Sequence, residues 1–185
     1  MSMYFNSRMI QLVADRYGYP PVIKMAAPVS QQEFQFIRST QSYGRCHDFT
    51  LYIFKGNKVI VNAKHSYPRG LFRAPSGGLK PGEEFHEGVS REIMEETGTA
   101  AKLNKYILQV NVSFVNGARA IPWKTHVFTA EYLSGKIAPV DISEIREVKF
   151  AELSEFDEYK KIIAGLESGG LSYRSRLHDE VVRLL

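Results

Sequence analysis

A glycine-rich loop that runs directly into an amphipathic helix is the feature that most constrains this chain. Gly70–Gly82 contains four glycines and two prolines, a composition that predicts an ordered loop rather than a regular element. Between Glu84 and Thr97 every fourth residue is apolar, namely Phe85, Val89 and Ile93. This spacing predicts a helix with one buried face, and Gly98 fits the position just after its C-terminus.

The segments on both sides of this loop and helix predict strands interleaved with further helices, which is typical of a layered α/β domain. Strands are predicted in two pairs, Phe49–Phe54 with Val59–Ala63 across a Lys55–Lys58 turn, and Tyr106–Val115 with Thr125–Tyr132 across a longer connection that contains Pro122. A short strand is predicted at Glu147–Phe150, and helices are predicted at Ser154–Ala164, Ser172–Leu185, Phe5–Arg16 and Gln31–Thr40.

Three glutamates crowd onto the predicted central helix. Glu92, Glu95 and Glu96 are spaced to share one helical region, where like charges repel by roughly a few tenths of a kcal/mol per exposed pair. A solvated acidic helix face is one interpretation. The other is a site for Mg²⁺ or Mn²⁺, because these ions prefer hard oxygen ligands. Arg91, four residues before Glu95, would then hold that carboxylate ionised.

The complete spacing of this segment decides between the two interpretations. It reads Gly77-x5-Glu83-x7-Arg91-Glu92-Ile93-x-Glu95-Glu96-x-Gly98. This resembles the box of the Nudix (MutT-like) hydrolase family, G-x5-E-x7-R-E-U-x-E-E-x-G-U, where U is a bulky aliphatic residue. Eight of the nine defined positions match. The exception is Thr99, which affects packing after the helix and not the chemistry.

The resemblance implies both a fold and a reaction. The implied fold is α/β, a Nudix-type α/β/α sandwich with a mixed β-sheet, an N-terminal extension and a C-terminal helix. The implied reaction is Mg²⁺-dependent cleavage of a diphosphate bond in a nucleoside-diphosphate-linked substrate, which releases a mononucleotide and a phosphorylated group. Mn²⁺ is expected to substitute for Mg²⁺. A bound divalent ion would neutralise phosphate charge and acidify a water.

The resemblance also implies roles for individual residues. Glu92 and Glu96 correspond to the principal metal ligands, Glu95 to a further ligand or an outer partner, and the carbonyl of Ser76 completes the set. The implied catalytic residues are Glu83, Arg91, Glu95 and Glu144. Gly77, Gly78 and Gly82 are expected to let the backbone turn tightly and approach metal and phosphate.

The general base is expected to lie within hydrogen-bonding reach of the attacking water. Many Nudix enzymes take it from a loop well after the box, and Asp141–Glu147 is the corresponding segment here. We prefer Glu144 over Glu147 because Glu147 falls in a predicted strand. Glu83 remains a third candidate.

Substrate contacts are predicted from residue type alone. Arg69 and Arg73 precede the box and are candidates to bind phosphate, and Phe114 is a candidate to stack on a base. Trp123 and His126 are candidates to line a ring-binding slot. The alternative for each is an ordinary surface or core position.

The domain boundaries and cellular location are further expectations. We expect an N-terminal extension at 1–45 that packs on the domain, a Nudix hydrolase domain at 46–168 and a C-terminal helix at 169–185. No run of roughly 18 apolar residues and no leader pattern occurs, and Cys46 has no second cysteine to pair with. Both observations predict a cytoplasmic protein. A homodimer through the C-terminal helix stays open.

Charge distribution bears on the alternative functions. Residues 1–80 contain 11 Lys and Arg against 3 Asp and Glu, a net +8, whereas residues 81–185 contain 13 against 17, a net −4. The basic residues are scattered, so a small-molecule substrate is favoured over nucleic acid. Two alternatives stay open: an inactive Nudix-like nucleotide-binding or regulatory module, and a pyrophosphohydrolase that acts on RNA caps or other nucleic acid.

Overall fold

A mixed β-sheet forms the centre of the molecule, whose computed structural model describes residues 6–41 and 44–185. The helices are α1 (Ser7–Tyr17), α2 (Gln31–Ser39), α3 (Phe85–Thr97), α4 (Phe156–Ala164) and α5 (Gly169–Val182). The strands are β1 (Val22–Pro28), β2 (His47–Lys55), β3 (Lys58–Lys64), β4 (Ser76–Gly77), β5 (Thr99–Asn116), β6 (Arg119–Gly135) and β7 (Ile145–Glu152). Within this described part of the chain, no helix combines the length and apolarity needed to cross a membrane.

The sheet combines parallel and antiparallel pairs. Over the described residues its order is β1-β5-β6-β2-β3-β7, with β4 paired to β2. The β1–β5 and β2–β6 pairs are parallel, and the other pairs are antiparallel. Helices α1 and α3 contribute apolar residues to the core on one face, and α2, α4 and α5 contribute to the core on the other. The predicted α/β sandwich with a mixed sheet is confirmed.

Strand β1 extends the sheet across the predicted boundary at residues 45 and 46. Met25 pairs with Val112 of β5, and only Met25 and Ala27 of this strand are buried. Such a short alternating pattern on an edge strand gives little sequence signal. Pro28 ends the strand, which an edge position tolerates. Phe5, the start of the first predicted helix, lies outside the described residues.

Strands β5 and β6 form one long hairpin, so the predicted long connection is wrong. The strands turn directly after Asn116, and Pro122 lies inside β6 opposite Ser113. Strand β2 pairs with β6 only from Lys124 onward. Among the described residues, the far side of β6 therefore has no partner strand at Pro122, and the missing N–H costs no hydrogen bond in the ladder.

The predicted loop before α3 is anchored to two strands of the sheet, because Arg73 pairs with Asn62 of β3 and Ser76 and Gly77 pair with β2. Ser76 pairs with Thr50 of β2, which fixes the loop beside the sheet. At the other end of α3, Gly98 adopts the left-handed conformation and its N–H donates to the Met94 carbonyl. Thr99 is buried, and its hydroxyl bonds that of Thr97 at 2.7 Å. The departure from the family pattern is thus satisfied locally.

Candidate active site

Arg91 cross-links the loop and the helix. Its Nε and Nη2 donate to both carboxylate oxygens of Glu83 at 2.8 and 2.9 Å. Its Nη1 donates to Glu92 and Glu95, each at 2.9 Å, and its Nη2 also donates to the Gly78 carbonyl at 3.0 Å. One planar guanidinium therefore fixes three carboxylates at once.

Glu83 is held as an ionised carboxylate. The hydrogen bond from Arg91 lowers its pKa more than burial raises it, and the backbone N–H of Lys80 donates a further bond at 2.8 Å. Gly88 of α3 packs against it, since a Cβ at Gly88 would lie 2.7 Å from Glu83 Oε2 and would overlap Leu79. The glycine inside this helix thus makes room for the loop that precedes it.

Glu96 is the most deeply buried carboxylate of the site, at 4% exposure. Its Oε2 accepts hydrogen bonds from Asn62 Nδ2 at 2.7 Å and from the Ser76 N–H at 3.0 Å. Arg73 Nη2 lies 3.5 Å from Oε1. Burial raises the pKa of Glu96, the Arg73 charge lowers it, and repulsion from Glu92 raises it further. A bound cation would therefore relieve the repulsion between Glu92 and Glu96.

Two adjacent glycines leave space for charged side chains, Gly77 for Glu92 and Gly78 for Arg45. A Cβ at Gly77 would overlap the Glu92 carboxylate, and a Cβ at Gly78 would overlap the Arg45 guanidinium. The Gly78 N–H donates to Glu92 at 3.3 Å. Neither Gly77 nor Gly78 has a positive φ, whereas Gly82 does, at 77°. Only Gly82 is needed for a turn, and the other two are needed for close approach.

The carboxylates are not arranged as one preformed cage. Across residues 6–41 and 44–185, no three His, Cys, Asp or Glu side chains gather closely enough to hold a metal ion. Glu95 is directed to Arg91, with Lys80 Nζ 4.0 Å from its other oxygen. Glu95 is therefore paired with two cations, and its role as a further ligand or an outer partner stays a prediction. Glu92 and Glu96 remain, and Mg²⁺ requires only one or two carboxylates because it retains several waters.

Glu144 lies on the loop before β7. The Asp141 carboxylate accepts hydrogen bonds from the N–H groups of Ser143 and Glu144 and so shapes this loop. The Glu144 carboxylate pairs with Lys64. Glu144 and Glu92 both line one open groove at the surface. Glu147 instead lies exposed on β7, opposite Ala63.

A groove of about 800 Å³ extends from the carboxylates toward the helices on one face of the sheet. We call the part lined by Ser76, Gly77, Gly78 and Glu92 its carboxylate end. We call the part lined by Phe114, Trp123, Tyr173 and Phe36 its aromatic end. This volume is in the range of pockets that hold nucleotide-sized ligands.

The predicted substrate residues fall in different places. Phe114 and Trp123 line the groove. Arg73 also lines it, but its guanidinium contacts Glu96 and Ser76, so it positions a glutamate rather than facing a phosphate. Arg69 is exposed and lies outside the residues that line the groove.

His126 does not form a slot with Trp123, and that prediction is wrong. The two residues are three apart on β6, so their side chains point to opposite faces of the sheet. His126 is fully buried, where its Nε2 lies 2.9 Å from His47 Nδ1 and its Nδ1 bonds the Tyr106 hydroxyl. Burial and the neighbouring His47 lower the pKa of His126 to about 3.

Sequence reasoning missed several residues of the site. Asn62, which bonds Glu96, is the one uncharged polar residue of β3, in a run of apolar residues between two lysines. Asp48 and Arg174 form an ion pair at 2.7 Å in the groove although they are 126 residues apart. A buried asparagine amid apolar strand residues is the one signal that could have been used, because buried amides need partners.

Comparison with known proteins shows which family the chain resembles. The NUDIX domain model matches residues 39–167. The chain is 26% identical over 106 residues to the NAD-capped RNA hydrolase NudC of Pseudomonas syringae pv. tomato, covering 56% of this chain and 34% of that protein. It is 22% identical over 125 residues to the oxidized purine nucleoside triphosphate hydrolase of Mus musculus, covering 64% and 78%.

Two further matches cover a smaller part of the relative or superpose only in part. The chain is 30% identical over 109 residues to Nudix hydrolase 8 of Arabidopsis thaliana, covering 56% of this chain and 28% of that protein. A NUDIX hydrolase structure from Nitrosomonas europaea aligns with a TM-score of 0.49 at 16% identity, covering 63% and 78%. The chain spans about a third of the length of the NudC relative. Because the family model covers well over half of the 185 residues, the chain belongs to the Nudix family.

Proposed function

We propose that this protein is a Mg²⁺-dependent hydrolase that cleaves a diphosphate bond in a nucleoside-diphosphate-linked substrate, releasing a mononucleotide and a phosphorylated group. The observation that carries the proposal is the pair Glu92 and Glu96. Arg91 fixes Glu92, which lines the nucleotide-sized groove, and Asn62 fixes Glu96, which is buried directly behind Ser76 of the groove lining. They repel each other in a partly dehydrated position, which gains nothing for the fold and suits a cation.

The residues divide the chemistry between them. Glu92, Glu96 and the Ser76 carbonyl would hold Mg²⁺ or Mn²⁺, which neutralises phosphate charge and lowers the pKa of a bound water. Glu144 accepts the proton of the attacking water from its position on the groove wall. Glu83, ionised by Arg91, orients water beside the loop and is the alternative base. Arg91 and Glu95 act by positioning Glu83 and Glu92.

The relatives support the substrate class but not one compound. Their names describe hydrolysis of NAD-capped RNA and of oxidized purine nucleoside triphosphates, and both kinds of molecule contain nucleotides. The NudC likeness, together with the basic first 80 residues, makes an RNA-cap pyrophosphohydrolase the second candidate. Strong salt dependence of the reaction would favour this second candidate. The inactive-module alternative is disfavoured because all five charged positions of the box are intact.

Other features belong to the proposal as expectations. The domain limits at 46–168, a location in the cytoplasm and a homodimer through α5 remain predictions. Size-exclusion chromatography with light scattering would measure the oligomeric state, and limited proteolysis would locate the boundaries.

A substrate panel tests the function directly. It should contain ADP-ribose, NADH, dinucleoside polyphosphates, nucleoside triphosphates, nucleotide sugars and NAD-capped RNA, each with Mg²⁺, Mn²⁺ or EDTA. We expect metal-dependent release of a mononucleotide from at least one compound. No turnover of any compound with either metal would move the inactive binding module ahead.

Glu96→Gln tests the assignment of the site within that panel. We expect turnover to fall by at least about a hundredfold, because a charged clamp on the reacting group is lost, with an unchanged circular dichroism spectrum. Glu87→Gln on the exposed side of α3 is the matched control and should retain activity. Near-normal turnover in Glu96→Gln would remove this residue from the metal site.

A further inference from the structure

Arg45 is a cation in the groove without an acidic partner. Its Nε is buried and has no hydrogen-bond partner among the described residues, and over the same residues no carboxylate lies within ion-pair distance of its guanidinium. A buried donor that lacks a partner costs free energy. The sequence around Arg45 had given no reason to single it out.

The other cations that line the groove are already paired. Lys64 pairs with Glu144, Arg73 with Glu96 and Arg174 with Asp48. Among the described residues, Arg45 is therefore the groove cation whose charge is left for a ligand. Guanidinium groups favour phosphate because they can donate two parallel hydrogen bonds.

Arg45 stands between the two ends of the groove. Its guanidinium lies directly over Gly78, where any Cβ would overlap it, and the Gly78 N–H donates to Glu92. On the other side its Cζ is 5.8 Å from the centre of the Trp123 ring. A phosphate at Arg45 would thus adjoin both the carboxylate pair and the aromatic surface.

The aromatic end is rigid. Trp123 lies close enough to Asp48 to help lower the pKa of that carboxylate, and Asp48 accepts hydrogen bonds from Thr125 and Arg174. Phe114 packs edge-on against Tyr173 with ring centres 5.4 Å apart. Fixed aromatic side chains bind planar ring systems at little entropic cost.

We infer that Arg45 binds a phosphate of the substrate and that the ring system of the same nucleotide lies along Trp123. This inference rests on the proposed function and deepens it, because it assigns the nucleotide portion of the substrate to the Trp123 end. The class of ligand is a nucleoside diphosphate.

Trp123 is the single tryptophan of the chain, so its fluorescence reports on this end of the groove. The full-length protein would be titrated with ADP, UDP, adenosine and pyrophosphate in EDTA, where no hydrolysis takes place. We expect ADP or UDP to change the emission. In Arg45→Gln we expect at least about a tenfold weaker affinity for that nucleotide, owing to the lost charge-assisted bonds. Adenosine affinity should stay unchanged.

Two further variants separate binding from structure. Arg45→Lys keeps the charge and should recover part of the affinity, and Arg8→Gln removes an exposed arginine of α1 and should bind as the wild type does. The melting temperature of Arg45→Gln should not fall, because Arg45 Nε has no hydrogen-bond partner to lose in the described part of the chain. A fall in melting temperature matched by equal loss of adenosine and ADP binding would show a structural role and overturn the inference.

The outcomes distinguish this inference from the proposed function. Unchanged nucleotide affinity in Arg45→Gln, or no emission change with ADP or UDP in the wild type, overturns the inference even when the wild type hydrolyses a panel substrate. Absence of metal-dependent hydrolysis overturns the proposed function, whereas an Arg45-dependent binding of ADP in EDTA would still stand.

Discussion

The lack of a Cβ atom at three glycines determines how the loop and the helix of the box pack together. Gly77 leaves room for Glu92, Gly78 for Arg45, and Gly88 for Leu79 and Glu83. The linear spacing of the box predicted which residues of the loop and helix meet, because they lie on one contiguous segment. It did not predict Asn62 or Arg45, since contacts between distant segments depend on the fold.

Gly77→Ala tests the close approach. The added methyl group overlaps the Glu92 carboxylate and would push it out of position. We therefore expect turnover to fall by about tenfold or more, with only a small change in stability. Steady-state kinetics on the substrate found by the panel would measure it. Gly165→Ala is the control, because a Cβ there meets only the Ile162 carbonyl, at 3.5 Å. Full activity in Gly77→Ala would show that Glu92 does not have to occupy this position.

Helices α2 and α5 share one carboxylate. Glu33 accepts hydrogen bonds from the Ser30 N–H at 2.9 Å, completing the N-terminal cap of α2. It also accepts from Ser168 Oγ at 2.7 Å and from the N–H groups of Gly169 and Gly170 at 3.2 and 3.1 Å. Burial alone would raise the pKa of Glu33, but these bonds lower it more. Glu33 therefore links α2 and α5, two helices whose residues line the groove.

Glu33→Gln removes the charge from both helix N-termini. We expect the free energy of unfolding at pH 7 to fall by about 1–2 kcal/mol, because charged acceptors at N–H groups are lost. Since the pKa is lowered in the folded state, this stabilisation is complete above the unfolded pKa and disappears as the pH falls through the folded value. Urea unfolding at pH 7 and below pH 4 would measure it, with Glu158→Gln as an exposed control. An equal difference in the free energy of unfolding at both pH values would contradict a stabilising role of the Glu33 charge.

Elements with strong periodicity were predictable and elements at edges were not. The spacing placed α3 within one residue of its observed start, because its buried positions recur regularly. Strand β1 was missed because only two of its residues are buried, and Pro122 misled because its tolerance depends on where β2 joins β6. Both errors concern neighbours in the sheet, which local sequence does not encode.

Over the whole molecule, buried histidines link stability to pH. His178 stacks on Phe156 with ring centres 3.8 Å apart, and its Nδ1 lies 2.9 Å from the Tyr52 hydroxyl. Burial lowers the pKa of His178 to about 4, while Asp179 and Asp157 raise it and Lys160 lowers it. His47 and His126 are shifted in the same direction by burial.

The expected consequence is loss of stability in mild acid. A histidine with a lowered folded pKa stabilises fully above its unfolded pKa, and this contribution is lost as the pH falls from about 6.5 toward the folded value. The slope per histidine is at most about 1.4 kcal/mol per pH unit. His178→Gln should therefore show a flatter decline of unfolding free energy between pH 6.5 and 4.5, measured by urea denaturation. An unchanged slope would show that His178 titrates normally.

The central claim is that Glu92 and Glu96 hold a divalent cation, and a crystal soaked in Mn²⁺ tests it most directly. The anomalous difference map should show a peak at coordinating distance from one oxygen of each carboxylate, near the Ser76 carbonyl, with Glu95 still bonded to Arg91. A map without a peak between these two glutamates, or with the ion held elsewhere, would contradict the assignment.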